Sequence, residues 1–141
     1  MNKKHACALA LALGLAALLP ACRHIRSAGM VVASYPQTQV KVNDTIFGKR
    51  FRVTQTAVDR MDSGLLRATI TIENVDRRSC QFEYRYRWLD ANGIEVASGL
   101  SVWTPQSAAS REQKLLTGVA PNRQAADFIL DIRFSHKSTR W

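Results

Sequence analysis

The apolar residues of this chain follow two different patterns. Residues 6–21 form one nearly continuous apolar run, whereas apolar and polar residues alternate over much of residues 48–134. The clearest alternation has one face made of Cys80, Phe82, Tyr84, Tyr86 and Trp88. Its other face is made of Gln81, Glu83, Arg85 and Arg87. A period of two is that of a β-strand with one buried face, so we predict such a strand here.

Further stretches repeat this period. One buries Leu66, Ala68, Ile70 and Ile72. Others cover residues 51–55, 112–119 and 128–134, and in the last we expect Asp127, Asp131 and Arg133 to face solvent. Turn residues separate the strands, among them Asn92-Gly93, a pair that supplies the positive φ of tight hairpins. The chain is therefore predicted to be all-β.

Six or seven short strands with turns between them favour an antiparallel β-sandwich over residues 47–135, with a small barrel as the alternative. Trp88 is the expected core aromatic residue. Residues 99–110 are predicted to form a bend and loop, where Pro105 rules out a central strand. A short helical turn within residues 105–116 is the one exception considered.

The N-terminal run has the features of a bacterial lipoprotein signal peptide. Lys3 and Lys4 precede it, and it ends in Leu19-Pro20-Ala21-Cys22. A basic start, an apolar stretch and a small residue at the cut are typical of secretory signals. An aliphatic residue three positions before cysteine fits the lipobox, although Pro20 is unusual there. A plain secreted protein and an uncleaved anchor are the alternatives, but the run is short for a membrane span.

Cleavage before Cys22 divides the chain into four parts: the signal peptide 1–21, a lipidated tether 22–46, the β-sandwich 47–135 and a basic tail 136–141. Residues 30–32 are a candidate short β segment within the tether. Lipidation of Cys22 would anchor the protein to a membrane. Because Arg23 rather than Asp follows Cys22, we expect an outer-membrane lipoprotein that faces the periplasm.

Charge and cysteine content narrow the partners. The net charge of +9 falls to +7 when Lys3 and Lys4 leave with the signal peptide. A basic chain often binds nucleic acid, but the predicted compartment excludes that partner and favours anionic envelope material or simple solvation. Cys7 lies in the signal peptide and Cys22 carries lipid, so Cys80 is left unpaired and is expected to be a buried thiol.

Candidate chemistry is sparse. The three histidines, His5, His24 and His136, all lie outside residues 47–135, which removes histidine-based nucleophile pairs and most zinc sites. We therefore predict no catalytic residues, no metal and no cofactor, and hence not an enzyme. Asp59 and Asp62 are interpreted as solvated turn residues. Asp90 is expected to hydrogen-bond the backbone of the turn that follows it.

A binding surface is the remaining candidate site. Arg85 and Arg87 share the polar face of one strand, and Arg67 on a neighbouring strand is predicted to join them. Trp103 is the candidate aromatic contact. Simple solvation, with Glu83 and Glu73 pairing the arginines, is the alternative for the arginines. Packing in the core or at a strand edge is the alternative for Trp103.

Two segments resemble a known family. Residues 82–93, FEYRYRWLDANG, and residues 118–122 followed by Ala126-Asp127-Phe128, together with the lipobox, resemble the YcfL family of small proteobacterial periplasmic lipoproteins, a domain of unknown function. The resemblance covers residues 48–134. It implies an immunoglobulin-like β-sandwich in the cell envelope, near activators of cell-wall synthesis, and it carries over no catalytic residue.

These observations converge on one functional hypothesis. The sequence predicts a non-enzymatic, membrane-tethered β-sandwich that presents a binding surface to an envelope protein, in cell-wall synthesis or envelope assembly. The alternative is a module that binds peptidoglycan, another glycan or an anionic polymer through the basic strand face.

Overall fold

The computed structural model of this chain describes residues 29–33 and 39–135. They form nine strands: β1 (Met30–Ala33), β2 (Gln39–Val42), β3 (Phe51–Arg60), β4 (Leu66–Asn74), β5 (Cys80–Leu89), β6 (Glu95–Val96), β7 (Thr104–Ala108), β8 (Gln113–Val119) and β9 (Asp127–Phe134). One short helix, α1 (Thr45–Arg50), precedes β3, and a single 3₁₀ turn (Ser98–Leu100) follows β6.

The strands form two antiparallel sheets. The large sheet has the order β2-β1-β9-β5, and both β6 and β7 pair with the remaining edge of β5. The small sheet has the order β3-β4-β8. The two sheets pack face to face in a sandwich-like arrangement, because each has one apolar face to bury. The predicted all-β antiparallel sandwich is confirmed, with more strands than the six or seven expected.

The core lies between the sheets and consists of the residues that the period-two pattern placed inward. Ala68, Ile70 and Ile72 of β4 are completely buried, and so is Phe82 of β5. Trp88 is 7% exposed and contacts the rings of Tyr86 and Phe128. The prediction that Trp88 is a core residue is therefore confirmed.

Tyr86 joins the two sheets. Its hydroxyl donates to the backbone carbonyl of Leu116 at 2.6 Å and lies 3.3 Å from that of Ala68, so it reaches the backbone of β8 and β4. The ring occupies the space that a side chain would take at Gly118, where an added Cβ would overlap it. Burial raises the pKa of the Tyr86 hydroxyl well above its usual range, since the charged form would lose its water.

Helix α1 closes one end of the sandwich and was not expected from the sequence. Asp44 caps it, accepting hydrogen bonds from the backbone N–H groups of Ile46 and Phe47. Phe47 is fully buried and stacks on Phe51 with 4.7 Å between ring centroids. Six residues are too few to show a helical period, which explains why pattern reading missed it.

Two sequence predictions are corrected by the structure. The tether predicted over residues 22–46 is wrong for residues 30–33 and 39–42, which form paired strands of the large sheet, and for 45–46, which begin α1. The candidate β segment at residues 30–32 is confirmed within β1. The helical turn considered within residues 105–116 is wrong, because β7 and β8 occupy it. Pro105 lies on an edge strand, as a residue without an N–H should.

Local predictions about turns and the thiol hold. Gly93 has a φ of +79°, and the Asp90 carboxylate accepts from the backbone N–H groups of Asn92 and Ile94 at 2.8 and 2.9 Å. Cys80 is buried, and burial raises the pKa of its thiol. The predicted signal peptide 1–21, the lipidation site Cys22 and the basic tail 136–141 lie outside the described residues.

Candidate functional site: the outer face of the large sheet

The candidate site is built on the two central strands of the large sheet. In β5 and β9 the inward residues fill the core, so alternate residues point outward and meet across the strand pair. The register places Glu83 opposite Arg133 and Arg85 opposite Asp131. We call the outward cluster the arginine face and define it by Glu83, Arg85, Arg87, Glu95, Trp103, Asp131 and Arg133.

Asp131 is the centre of this face. Its side chain is only 3% exposed, because Arg85 and Arg87 lie over it. Each arginine donates its Nε–H to Asp131 Oδ2 at 2.9 Å, and Arg87 Nη2 approaches Oδ1 at 3.3 Å. The expectation that Asp131 faces water is wrong: it points out of the sheet, but the two guanidinium groups replace water as its partners. Charge-assisted hydrogen bonds of this kind compensate a buried carboxylate for the loss of hydration.

Trp103 packs against two arginines. The guanidinium carbon of Arg133 lies 3.8 Å from the centroid of the indole ring, and that of Arg85 lies 4.6 Å away. These distances are well within the range of cation–π attraction. Trp103 immediately precedes β7, whose pairing with β5 carries the indole onto the outer face. The ring is half-buried and lies outside the core, so packing in the core is ruled out, and the indole packs instead against two arginines beside the edge strand β7.

Glu83 and Glu95 complete the charge pattern. Glu83 Oε1 accepts from Arg133 Nε at 2.7 Å, and Glu95 Oε2 lies 3.9 Å from Arg87 Nη1. The three arginines of the face thus meet three carboxylates: Glu83, Glu95 and Asp131. Their formal charges cancel. The pairing expected from the sequence, Arg85 and Arg87 with Glu83 and Glu73, is wrong, because Asp131 takes both arginines.

Arg67 does not belong to this site. It lies on the outer face of the small sheet, where it makes a bidentate contact with Asp59 at 3.0 and 2.7 Å. The prediction that Arg67 joins Arg85 and Arg87 fails because β4 and β5, although consecutive in the chain, belong to different sheets. The hydrogen bond from Arg67 holds the pKa of the exposed Asp59 below its usual value.

An apolar groove continues the arginine face toward one end of the sheet. It encloses about 550 Å³ and is lined on its floor by Leu89, Ile129 and Ala33, with the Asp90–Gly93 turn as one wall. Asp127 also lines it, but its carboxylate accepts from the Phe128 N–H at 2.7 Å. The outer face therefore combines a charged, aromatic region with an apolar depression.

The sequence placed Arg85, Arg87 and Trp103 in one candidate binding surface, and the structure brings the three side chains together on the outer face of the large sheet. Sequence reasoning missed the residues that organise them, Asp131 and Arg133. Their signal was present as the alternation of Ile132 and Leu130 with charged neighbours in β9, but only the strand order tells which arginines those neighbours meet.

Residues 29–33 and 39–135 lack three features: a metal-binding cluster, an unpaired buried polar side-chain atom and a membrane-spanning helix. Within this part of the chain, no three His, Cys, Asp or Glu side chains cluster in a way that could hold a metal ion. Every buried side-chain nitrogen or oxygen there has a hydrogen-bond partner. In the same residues, no helix has the length and apolar character to cross a membrane.

The fold defines a small all-β domain with two antiparallel sheets. Residues 38–134 match the family model described as "Protein of unknown function (DUF1425)", and the chain belongs to that family. This match is to the DUF1425 family as a whole and does not distinguish the narrower YcfL group within it. No curated protein matches the chain.

Two solved structures have a similar fold. One is a DUF1425 family member from Shewanella sp. pv-4, which is 22% identical, with 78% of this chain and 93% of that chain covered and a TM-score of 0.55. The other is cj0090 from Campylobacter jejuni, which is 20% identical, with 59% of this chain and 85% of that chain covered and a TM-score of 0.52. At these identities the likeness concerns the fold alone.

Proposed function

We propose that this protein is a non-enzymatic lipoprotein of the bacterial cell envelope that binds a protein partner through the arginine face. Lipid on Cys22 anchors it in the outer membrane, and the sandwich faces the periplasm. Support for the anchor comes from the basic start, the apolar run and the Leu19-Pro20-Ala21-Cys22 pattern. Within the DUF1425 family we place it with the YcfL-like lipoproteins, and we propose a role in cell-wall synthesis or envelope assembly.

The single observation that carries the binding proposal is the packing of Trp103 against two arginines. Tryptophan and arginine are the residues most enriched among those that dominate binding energy at protein interfaces. Here a half-exposed indole is already held by Arg85 and Arg133, at 4.6 and 3.8 Å. A side chain that is ordered before binding loses less conformational entropy when a partner arrives. The apolar groove beside it adds surface that a partner would desolvate.

The charge balance of the face argues against its main competitor. A site for an anionic polymer needs uncompensated positive charge. On the arginine face three carboxylates neutralise three arginines, and Asp131 already occupies the Nε–H groups of Arg85 and Arg87. A glycan stacked on Trp103 remains the second candidate, since the indole offers a flat apolar surface. Binding of the protein to purified peptidoglycan that falls in Trp103→Ala would favour that candidate.

The anchor is tested by replacing its attachment atom. In Cys22→Ser we expect no incorporation of labelled fatty acid and retention of the uncleaved signal peptide. The wild-type chain should be labelled and should sediment with outer-membrane fractions. Cys80→Ser is the control, because Cys80 is buried and offers no lipid attachment point. Fatty-acid labelling that survives Cys22→Ser would refute the anchor.

The partner is tested by site-specific photocrosslinking in living cells. A photoreactive residue at Pro105, which is exposed and lies opposite Glu83 on the same face as Trp103, should give one discrete adduct with an envelope protein. The same residue at Thr69, on the outer face of the small sheet, should not. Adding Trp103→Ala should abolish the Pro105 adduct. An adduct that persists without the indole, or that forms equally at Thr69, would contradict the proposal.

A further inference from the structure

Within the described residues, the free edge of the small sheet at β8 differs from the β3 edge of the same sheet and from the edge of the large sheet formed by β6 and β7. Among the described strands, β8 pairs only with β4, and its other side carries no strand. Leu115 is 67% exposed and Val119 is 45% exposed, on either side of the exposed Thr117. Exposed apolar side chains on an unpaired edge are a template for association with another strand.

The opposite edge of the small sheet is protected. β3 carries a bulge between Val53 and Gln55, and bulges twist an edge away from further pairing. Arg52, Asp59 and Arg60 add charges along it. In the large sheet, β7 carries Pro105 and β6 has only two residues. β8 has one charged residue, Lys114, and Glu112 neutralises it at 2.8 Å.

The backbone of β8 is oriented for pairing on its free side. Ala120 donates its N–H to Leu66 at 2.8 Å, and Glu112 accepts from the N–H of Asn74 at 2.9 Å. The even-numbered residues of β8 therefore turn their backbone groups toward β4. In an antiparallel sheet the groups of successive residues alternate in direction. The N–H and C=O groups of Leu115, Thr117 and Val119 consequently point out of the edge.

We propose that β8 pairs antiparallel with β8 of a second copy of this chain, about a two-fold axis at Thr117. That register sets Thr117 opposite its own copy and Leu115 opposite Val119 of the second copy, twice. All three pairs use outward-pointing backbone groups and would exchange about six hydrogen bonds. The two small sheets become one continuous six-stranded sheet.

Self-complementarity is what selects a second copy over a different partner. Leu115 and Val119 are equidistant from Thr117 in the sequence, so a two-fold axis there brings apolar onto apolar side chains at both ends. A two-fold interface requires this symmetry of the surface with itself, whereas a foreign strand does not. A register centred one residue earlier would instead set Leu115 opposite Thr117 and Val119 opposite Gln113. The pairing is independent of the arginine face, which lies on the other sheet.

Cysteine crosslinking in the full chain tests the register. Facing residues of a hydrogen-bonded antiparallel pair have Cα atoms about 5.5 Å apart, which lies within the range that a disulfide spans. Thr117→Cys should therefore form a covalent dimer under mild oxidation. The matched control is Ala57→Cys, an exposed position in the same row at the protected β3 edge. The wild-type chain controls for Cys7, Cys22 and Cys80.

A charge on the edge tests the apolar contact. Leu115→Lys should lower the crosslinked fraction of Thr117→Cys at least tenfold, whereas Ala57→Lys, which adds the same charge at the other edge, should leave it unchanged. Equal thermal unfolding of the two lysine variants would show that the fold is intact. Equal crosslinking of Thr117→Cys and Ala57→Cys, or no loss with Leu115→Lys, would overturn the proposal. A monomeric wild-type chain in sedimentation equilibrium would also overturn it.

Discussion

The outer faces of the two sheets each carry an arginine–aspartate contact between neighbouring strands, but the two contacts differ in burial. On the large sheet, the side chain of Asp131 is 3% exposed beneath Arg85 and Arg87. On the small sheet, the side chains of Asp59 and Arg67 are 49% and 45% exposed. The shortest distances are nearly the same, at 2.9 and 2.7 Å.

Distances between charged atoms therefore do not indicate by themselves how much an ion pair contributes to stability. An exposed pair exchanges water for a partner at little net gain and is screened by salt. A buried carboxylate has no water to return to, so its partners become indispensable. The outer face of the large sheet therefore has a buried cluster whose members depend on each other. The outer face of the small sheet has an exposed ion pair that contributes little to stability.

The largest expected effect is the loss of the buried acid. Asp131→Ala leaves Arg85 and Arg87 side by side without a counter-charge. Breaking a buried pair costs about 3–5 kcal/mol. Because both arginine side chains remain about 30% exposed and water can reach them, we expect the lower end, about 3 kcal/mol. Urea unfolding followed by tryptophan fluorescence measures it.

Asp59→Ala is the matched control for that experiment. It removes the same functional group from an arginine contact of similar length on the exposed face, and we expect no clear change in the urea midpoint. Equal destabilisation by the two substitutions would erase the distinction between the faces.

The second-largest loss of stability is expected where the ring of Tyr86 in the large sheet packs against Gly118 in the small sheet. In Gly118→Ala the new methyl group would overlap the ring of Tyr86. Overpacking of this kind costs about 1–3 kcal/mol. The matched control is Gly99→Ala, where an added Cβ meets nothing within 4 Å and the backbone needs no positive φ. A Gly118→Ala chain as stable as Gly99→Ala would mean that Tyr86 does not occupy this position.

The buried and exposed faces of individual strands were predictable, because the apolar or polar character of each residue indicates which face of the strand it occupies. Ala68, Ile70 and Phe82 alternate with polar residues, and burial follows from that period. The pairing of strands was not predictable, because it depends on which apolar surfaces meet after folding. Arg67 and Arg85 lie on consecutive strands in sequence, yet each belongs to a different sheet. The expected arginine cluster was therefore only half right.

Asp131 shows the same limit for a single residue. Its outward direction followed from its neighbours Leu130 and Ile132, which are fully buried. Its burial came from two long side chains on another strand, and no local pattern encodes them. Trp103 likewise stands in a segment predicted to be a loop, and its site exists only because β7 pairs with β5.

The contribution of Tyr86 to the stability of the fold should decrease at alkaline pH. Burial raises the pKa of the folded Tyr86 hydroxyl, while the unfolded residue ionises near its ordinary pKa of about 10. The stability that Tyr86 contributes is thus fully present below pH 10 and is lost as pH rises above it, by at most about 1.4 kcal/mol per pH unit. Urea midpoints between pH 9 and 11.5 measure this loss.

Tyr86→Phe is the comparison chain for that titration, since Cys80 remains in both chains and its raised pKa acts in the same direction. The stability advantage of the wild type over Tyr86→Phe should shrink above pH 10. An advantage that stays constant to pH 11.5 would show that the folded hydroxyl ionises as easily as the unfolded one.

Removal of the indole should have a smaller effect on stability than on binding. Trp103→Leu loses two cation–π contacts at a half-exposed site, about 0.5 kcal/mol each, so we expect a cost of about 1 kcal/mol. The Pro105 photocrosslink should nevertheless disappear. Thermal unfolding and crosslinking of the same variant separate the two effects. A loss as large as that of Asp131→Ala would make Trp103 a structural residue instead.

The smallest effect concerns the exposed pair and is best measured as a pKa. The hydrogen bond from Arg67 holds the pKa of Asp59 below its ordinary value. Its contribution to stability is present above the unfolded pKa and is lost as pH falls through the lower, folded one. In Arg67→Gln the pKa of Asp59, followed by carboxyl-carbon NMR, should rise toward the ordinary value, and 1 M salt should raise it in the wild type.

Salt should leave the urea-midpoint difference between wild type and Asp131→Ala almost unchanged, because the Asp131 carboxylate is shielded from ions. Equal sensitivity of both sites to salt would mean that Arg85 and Arg87 do not seal Asp131 from solvent.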